Sequence, residues 1–344
     1  MSAIRRILVA VKDMQATSHP AVLKAAQIAR ACNAQLQLFH ALSTPMYADV
    51  YALGDQSPEG LERDLRHRAL IKLERIADRL RQHSIRVTVM AEWDFPGYEA
   101  IIRRALAGKA DLIVASRHSG RHTAPWLLRL TDWELVRLSP IPVLLVKNPR
   151  AYRHPNVLAA IDPSHTHAKP LQLDKQILRM AQTMSQKMHG KLHAVHADAR
   201  APIGSIDGAV PTEAIDSGLM TPRLFKKMDE KMQRLAMRSA KASLTRALRT
   251  TRIAAARRYL IASDPINAIV QAARKSGSAI VAMGAVSRSG YRRLLIGNTA
   301  ERILDELSCD ILIVKPQNFH WQVPRTGRGA RVMMVAPTGA IGYY

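Results

Sequence analysis

The stretch MGAVSRSGYRRLLIGNTAE, residues 283–301, sets the frame for the whole chain. An apolar run, AIVAM at 279–283, leads into it, and a helix-compatible segment, 299–307, leads out. Strand, small-residue loop and helix in that order make an anion site in α/β proteins. The loop turns backbone N–H groups inward, and the positive end of the helix dipole faces the ligand. Gly284, Gly290 and Gly297 let this loop bend, and Arg288, Arg292 and Arg293 add positive charge.

Reading outward, apolar and amphipathic segments alternate. Apolar runs at 7–11 (ILVAV), 35–40 (QLQLFH), 85–90 (IRVTVM), 111–115 (DLIVA) and 143–147 (VLLVK) read as strands. Between them, 21–32, 61–83, 97–107 and 126–137 read as helices, and 43–58 as a loop. The order then recurs. Strands are expected at 156–161, 191–197, 252–259, 278–283 and 311–315, with helices at 173–189, 223–248 and 265–275. The endings LSPIPVLLVK (138–147) and LSCDILIVKP (307–316) match. Ser116 and Gly284, Thr131 and Thr299, and Lys147 and Lys315 are each offset by 168, whereas Lys12 and Asp162 are offset by 150. The chain is therefore an internal duplication. Its second copy is longer by about 18 residues, the difference between those offsets, assigned to the loop at 198–221.

Apolar strands alternating with helices imply an α/β fold with a mainly parallel sheet covered on both faces. Ligands of such sheets bind at the carboxyl ends of strands, where the strand order reverses. Asp162 and the loop at 284–299 both sit at such ends.

These residues resemble the universal stress protein family. The resemblance rests on the ILVAV-type first strand, the small-residue loop after the fourth strand and the PVLLVK-type last strand, and it covers about 4–150 and 155–316. It implies two tandem Rossmann-type domains of the adenine nucleotide alpha hydrolase-like class, 1–150 and 151–316, each a five-stranded mainly parallel sheet flanked by helices. A basic tail, 317–344, follows. GNTAE at 297–301 and TDW at 131–133 point to a two-domain member. The family's phosphate loop reads Gly-x2-Gly-x9-Gly-Ser/Thr. Here the frame is Gly284, Ser287 and Gly297, followed by Asn298 and Thr299, so the spacing is kept and two identities differ.

The resemblance implies that Asp162 lines the adenine-ribose side, with Gly284, Ser287, Arg288, Gly297, Asn298 and Thr299 around the phosphates. The cofactor it implies is ATP or another adenine nucleotide with Mg, in the second domain, bound without catalysis in a cytoplasmic stress-response protein. In the first domain Ser116, Ser119, Arg129, Leu130 and Thr131 occupy the matching positions, and Lys12 replaces the aspartate. That domain is expected to be structural. Because family members pair through their last strands, the two domains are expected to form an intramolecular pseudo-dimer; a homodimer is the other expected partnership.

The net charge of +24 is spread along the chain, with 22 Lys/Arg against 14 Asp/Glu in 1–150, 26 against 13 in 151–316 and three Arg in the tail. It favours polyanions, which keeps nucleic acid as a second partner class, although aromatics at 5% leave few stacking platforms. A third reading is a binding module for an apolar or acylated anion, lined by methionines of 223–248. No apolar run approaches the ~20 residues of a transmembrane segment. The two cysteines, Cys32 and Cys309, lack metal or redox spacing. His189, His193 and His196, His118 and His122, and His165 and His167 are weighed as ligands and read as loop or strand histidines. No P-loop, nucleophile elbow or triad appears, so a non-enzyme is expected.

Overall fold

A computed structural model describes residues 4–43, 46–49, 58–117, 125–163, 172–198, 222–251, 253–285, 302–303, 305–317, 319, 323–329 and 332–335. The first half runs β1 (Arg6–Ala10), α1 (Pro20–Cys32), β2 (Gln35–Leu42), β3 (Met46–Asp49), α2 (Pro58–Arg81), β4 (Val87–Trp93), α3 (Gly97–Ala107), β5 (Leu112–Ser116), α4 (Pro125–Leu138) and β6 (Val143–Val146). The second runs β7 (Val157–Ala160), α5 (Leu173–Lys187), β8 (Leu192–Ala197), α6 (Pro222–Ala247), a 3-10 turn (Ala255–Arg257), β9 (Arg258–Ile261), α7 (Pro265–Ser276), β10 (Ile280–Gly284) and β11 (Asp310–Val314), with β12 (Val332–Val335) in the tail.

Ten strands form a single sheet in the order β4-β2-β1-β5-β6-β11-β10-β7-β8-β9. Every neighbouring pair is parallel except β6–β11. The two expected five-stranded sheets are thus one continuous sheet, joined where β11 runs antiparallel to β6. Leu312 pairs with Leu144 there, the same level of each repeat at an offset of 168. A local two-fold axis therefore passes through that pair, and the expected pairing of last strands lies within one chain.

Central strands such as β6, β7, β10 and β11 are buried at every residue, because helices cover both faces. On one face α1, α2, α5 and the end of α6 pack through Ile28, Leu73, Ile177 and Leu244. On the other, α3, α4 and α7 pack through Ile102, Leu135 and Ile269. Each fully buried Leu, Ile or Val contributes roughly 1.5–3 kcal/mol. The helix ends obey local chemistry. Asp264 caps α7 by accepting from the N–H groups of Ile266 and Asn267 at 3.0 and 3.2 Å, and Gly277 closes it at φ 57°.

Two expectations change. The segment 43–58, read as a loop, contains β3, which pairs in parallel with β12 of the tail. The weak strand expected at 252–259 is a 3-10 turn followed by β9. The tail has a defined seat on the first half. The N–H of Arg328 donates to Asp94 at 2.8 Å, its guanidinium reaches Glu99 at 3.3 Å, and Arg103 donates to the Pro324 carbonyl at 3.1 Å. Val323 is buried beneath.

A second device ties the halves together. Asp310, wholly buried at the start of β11, accepts from Lys24 of α1 and from the Tyr152 hydroxyl, both at 2.5 Å. It also accepts from the backbone N–H groups of Lys147 and Asn148 at 2.9 and 3.0 Å. The matching residue of the first half is Pro142, so this bridge is made once and breaks the two-fold symmetry.

Candidate functional site

The strand order reverses at β7, which has β8 on one side and β10 on the other. The crevice beyond the carboxyl ends of β7 and β10 is therefore the expected ligand position. Asp162 lies two residues past β7 and is only 5% exposed. The register pairs Met283 with Ala160; continued upward, it brings Gly284 and Asp162 to the same mouth. Gly284 ends β10 where the first turn of α5 crosses. A Cβ there would come within 2.6 Å of Leu173 and 3.2 Å of Ile177. A larger residue at this position would have to displace the side-chain ends of Leu173 and Ile177, so α5 packs closely over Gly284. Ser287, Arg288, Gly297, Asn298 and Thr299 lie outside the described residues.

Asp162 does not stand by itself. Its backbone N–H donates to Asp174, in the first turn of α5, at 3.1 Å. Its carboxylate lies 3.9 Å from Nδ1 of His196, which β8 buries almost completely. Asp198, also buried, follows β8 and donates its N–H to the Ile261 carbonyl at 2.9 Å. Burial pulls the His196 imidazole below its usual value, while Asp162, the Ile161 carbonyl, Asp198 and Asp174 oppose the shift. A neutral imidazole beside a buried carboxylate offers acceptors to hydroxyl or amine donors of a ligand. The sequence placed Asp162 here. It did not show His196 or Asp174 as its neighbours, since only the β7–β8 register and the crossing of α5 bring them together.

This chemistry is expected to make the molecule acid-sensitive. His196, His193 and His40 all have pKa values lowered chiefly by burial. The unfolded chain regains the usual value and binds protons that the native state refuses, so this share of stability is present above about pH 6.5 and is lost as pH falls toward the native values. Urea midpoints measured from pH 7.5 to 5.5 should fall, and His196→Gln should flatten that fall. An unchanged slope in the variant would remove His196 from the account.

The first half treats the same position differently. Lys12 stands where Asp162 stands in the second half and pairs with Asp132 of α4. Burial lowers the Lys12 ammonium to about 8. A cavity of about 340 Å³ remains, lined in part by Lys12, His19, Ser116, Arg117 and Lys147. Two of these cations reach across the junction, Arg117 to Asp305 and Lys147 to the Leu307 carbonyl. Trp133 packs against the core beneath.

The histidine groups separate. His193 stacks on Tyr259 with ring centroids 5.9 Å apart, and its Nδ1 lies 3.2 Å from the tyrosine hydroxyl. His189 meets His154 edge-on, and His196 turns to Asp162. Among the described residues no group of three or more His, Cys, Asp or Glu could hold a metal ion. His118, His122, His165 and His167 lie outside the described residues, as do Ser119 and most of 198–221. Cys32 and Cys309 are free thiols, and burial pushes Cys309 up to about 11.

Comparison with known proteins places these features. The model of the universal stress protein family matches residues 3–147 and 155–315. Universal stress protein E of Photorhabdus laumondii is 22% identical over 314 residues, covering 91% of this chain and 95% of that protein. Its Escherichia coli K12 counterpart is 26% identical over 242 residues, 69% of this chain and 71% of that one. Among solved structures, a universal stress protein from Pseudomonas aeruginosa UCBPP-PA14 superimposes with a TM-score of 0.62 at 23% identity, covering 92% of this chain and 95% of that one. One from Archaeoglobus fulgidus DSM 4304 does so with a TM-score of 0.54 at 14% identity, over 90% and 97%. The chain, matched once in each half, belongs to the universal stress protein family.

Proposed function

We propose that the second half binds an adenine nucleotide, or a related anionic ligand, without turnover, and that the first half is its structural counterpart in a cytoplasmic stress-response protein. The observation that carries this reading is the position of Asp162: a buried carboxylate at the switch point, beside His196, at the mouth where β10 delivers Gly284 into the loop. The carboxylate suits the hydroxyl and amine donors of a nucleoside. The spacing of Gly284, Ser287 and Gly297 suits phosphates, with Arg288, Asn298 and Thr299 adding charge and polar contacts. Mg fits as a companion of ATP, because it keeps several waters and takes much of its coordination from substrate phosphates. Lys12, held by Asp132, puts a cation where the second half keeps its carboxylate.

Mass spectrometry of the ligand retained by purified protein, followed by titration calorimetry with ATP and AMP, tests the reading. Removing a charged acceptor costs about 1.5–3 kcal/mol, so Asp162→Ala should weaken nucleotide binding roughly 10- to 100-fold. The same protein should release no phosphate from ATP. A lipid-like species in place of the nucleotide, or equal affinity in an Asp162→Ala protein that keeps its melting temperature, would overturn the assignment.

A further inference from the structure

The helix α6 has two apolar faces. At 100° per residue, Ala240 and Leu244 share one side and are buried on the body of the second half. Met228, Met232 and Leu235 are centred about 130° round the helix from them and are 44%, 52% and 50% exposed. Alongside that exposed stripe runs a second one, Lys227, Lys231, Arg234, Arg238 and Lys241, spaced so that each lies one turn beyond the last, and all five are exposed. Arg234 meets Glu230 of its own helix at 3.5 Å.

We propose that this face of α6 is a docking surface for an anionic lipid membrane, on which the helix lies in the interfacial plane. An apolar stripe beside a lysine and arginine stripe is what such a surface recognises. The apolar side chains enter the boundary between headgroups and acyl chains while the cations meet the lipid phosphates. A nucleic acid would satisfy the cations and leave Met228, Met232 and Leu235 in water. A second copy would cover the apolar stripe but set two like-charged stripes side by side. The net charge of +24 adds long-range attraction to an anionic surface. No helix among the described residues is long and apolar enough to cross a membrane, so the contact is peripheral.

Co-sedimentation of the full chain with phosphatidylglycerol–phosphatidylcholine vesicles, against phosphatidylcholine alone, reads this out. Binding should require the anionic lipid and weaken with salt. Lys231→Gln, Arg234→Gln and Arg238→Gln together should weaken it by about 100-fold, from the loss of three surface cations. Met232→Ser with Leu235→Ser should weaken it by about tenfold while leaving the net charge and the circular dichroism spectrum unchanged. The proposal fails if both vesicle types bind alike. It also fails if the serine variant binds as well as the parent, which would mean adhesion by charge alone, or if the stripe holds a dimer that the serine changes dissociate. Binding of duplex DNA through the same arginines without vesicle binding would equally overturn it.

Discussion

Asp310→Ala is expected to lower the unfolding free energy by about 3–5 kcal/mol, measured by urea denaturation, because it strands a buried cation. Lys24 is 1% exposed and Asp310 is wholly buried, so no water replaces the lost carboxylate. The Tyr152 hydroxyl and the N–H groups of Lys147 and Asn148 lose their acceptor in the same step. Lys24 keeps one weaker partner, the face of the Tyr152 ring 4.6 Å away. The paired variant Lys24→Met with Asp310→Leu should recover the part of the loss that comes from the stranded ammonium, while the Tyr152 hydroxyl and the two N–H groups still lack their acceptor. Replacing a buried ion pair by apolar groups of similar size is often neutral or stabilising, whereas removing one partner is not. If Asp310→Ala melts with the parent, or the double variant is as unstable as the single one, the bridge does not hold the halves together.

Ending the chain at residue 316 is expected to cost about 2–4 kcal/mol, combining the burial of Val323 with hydrogen bonds to charged groups. The tail's seat is chemical as well as apolar. Asp94 and Glu99 are both nearly buried and share Arg103. The strap supplies a further N–H and a guanidinium from Arg328 and covers Asp94 with Gly327, where a Cβ would sit 3.0 Å from a carboxylate oxygen. Without the strap, two carboxylates are left with one guanidinium. Because the seat belongs to the first half, hydrogen exchange should rise in α3 and β4 of the shortened chain while α5 and β8 stay protected. Equal protection in α3 and β4 would show that the tail is dispensable for the first half.

The duplication, the strand-helix order and the place of Asp162 at a strand end were legible for local reasons. Uninterrupted apolar runs such as IVAM and LLV mark strands buried on both faces, and strand-end residues such as Asp162 stand next to them in sequence. β3 was not legible, because its partner β12 is almost 300 residues away, and a strand of 4 residues announces itself mainly through pairing. The tail was opaque for the same reason. Gly327 and Arg328 gain meaning only against Asp94 and Glu99, and Val323 only against the core below. Gly284 was read as a phosphate-loop glycine, and the close approach of Leu173 and Ile177 of α5 to it is a packing feature that no motif contains.

The sequence by itself determined that this is a duplicated α/β chain of the universal stress protein kind, with a carboxylate at one switch point and a lysine at the other. Those features follow from periodicity, repeat offset and neighbouring residues, all of which are local. Only the tertiary structure decided the register in which the last strands join the two sheets, that Asp310 bridges the halves, that the tail closes on the first half, and that His196 sits beside Asp162. Each of these depends on residues brought together from distant parts of the chain by strand register and helix crossing.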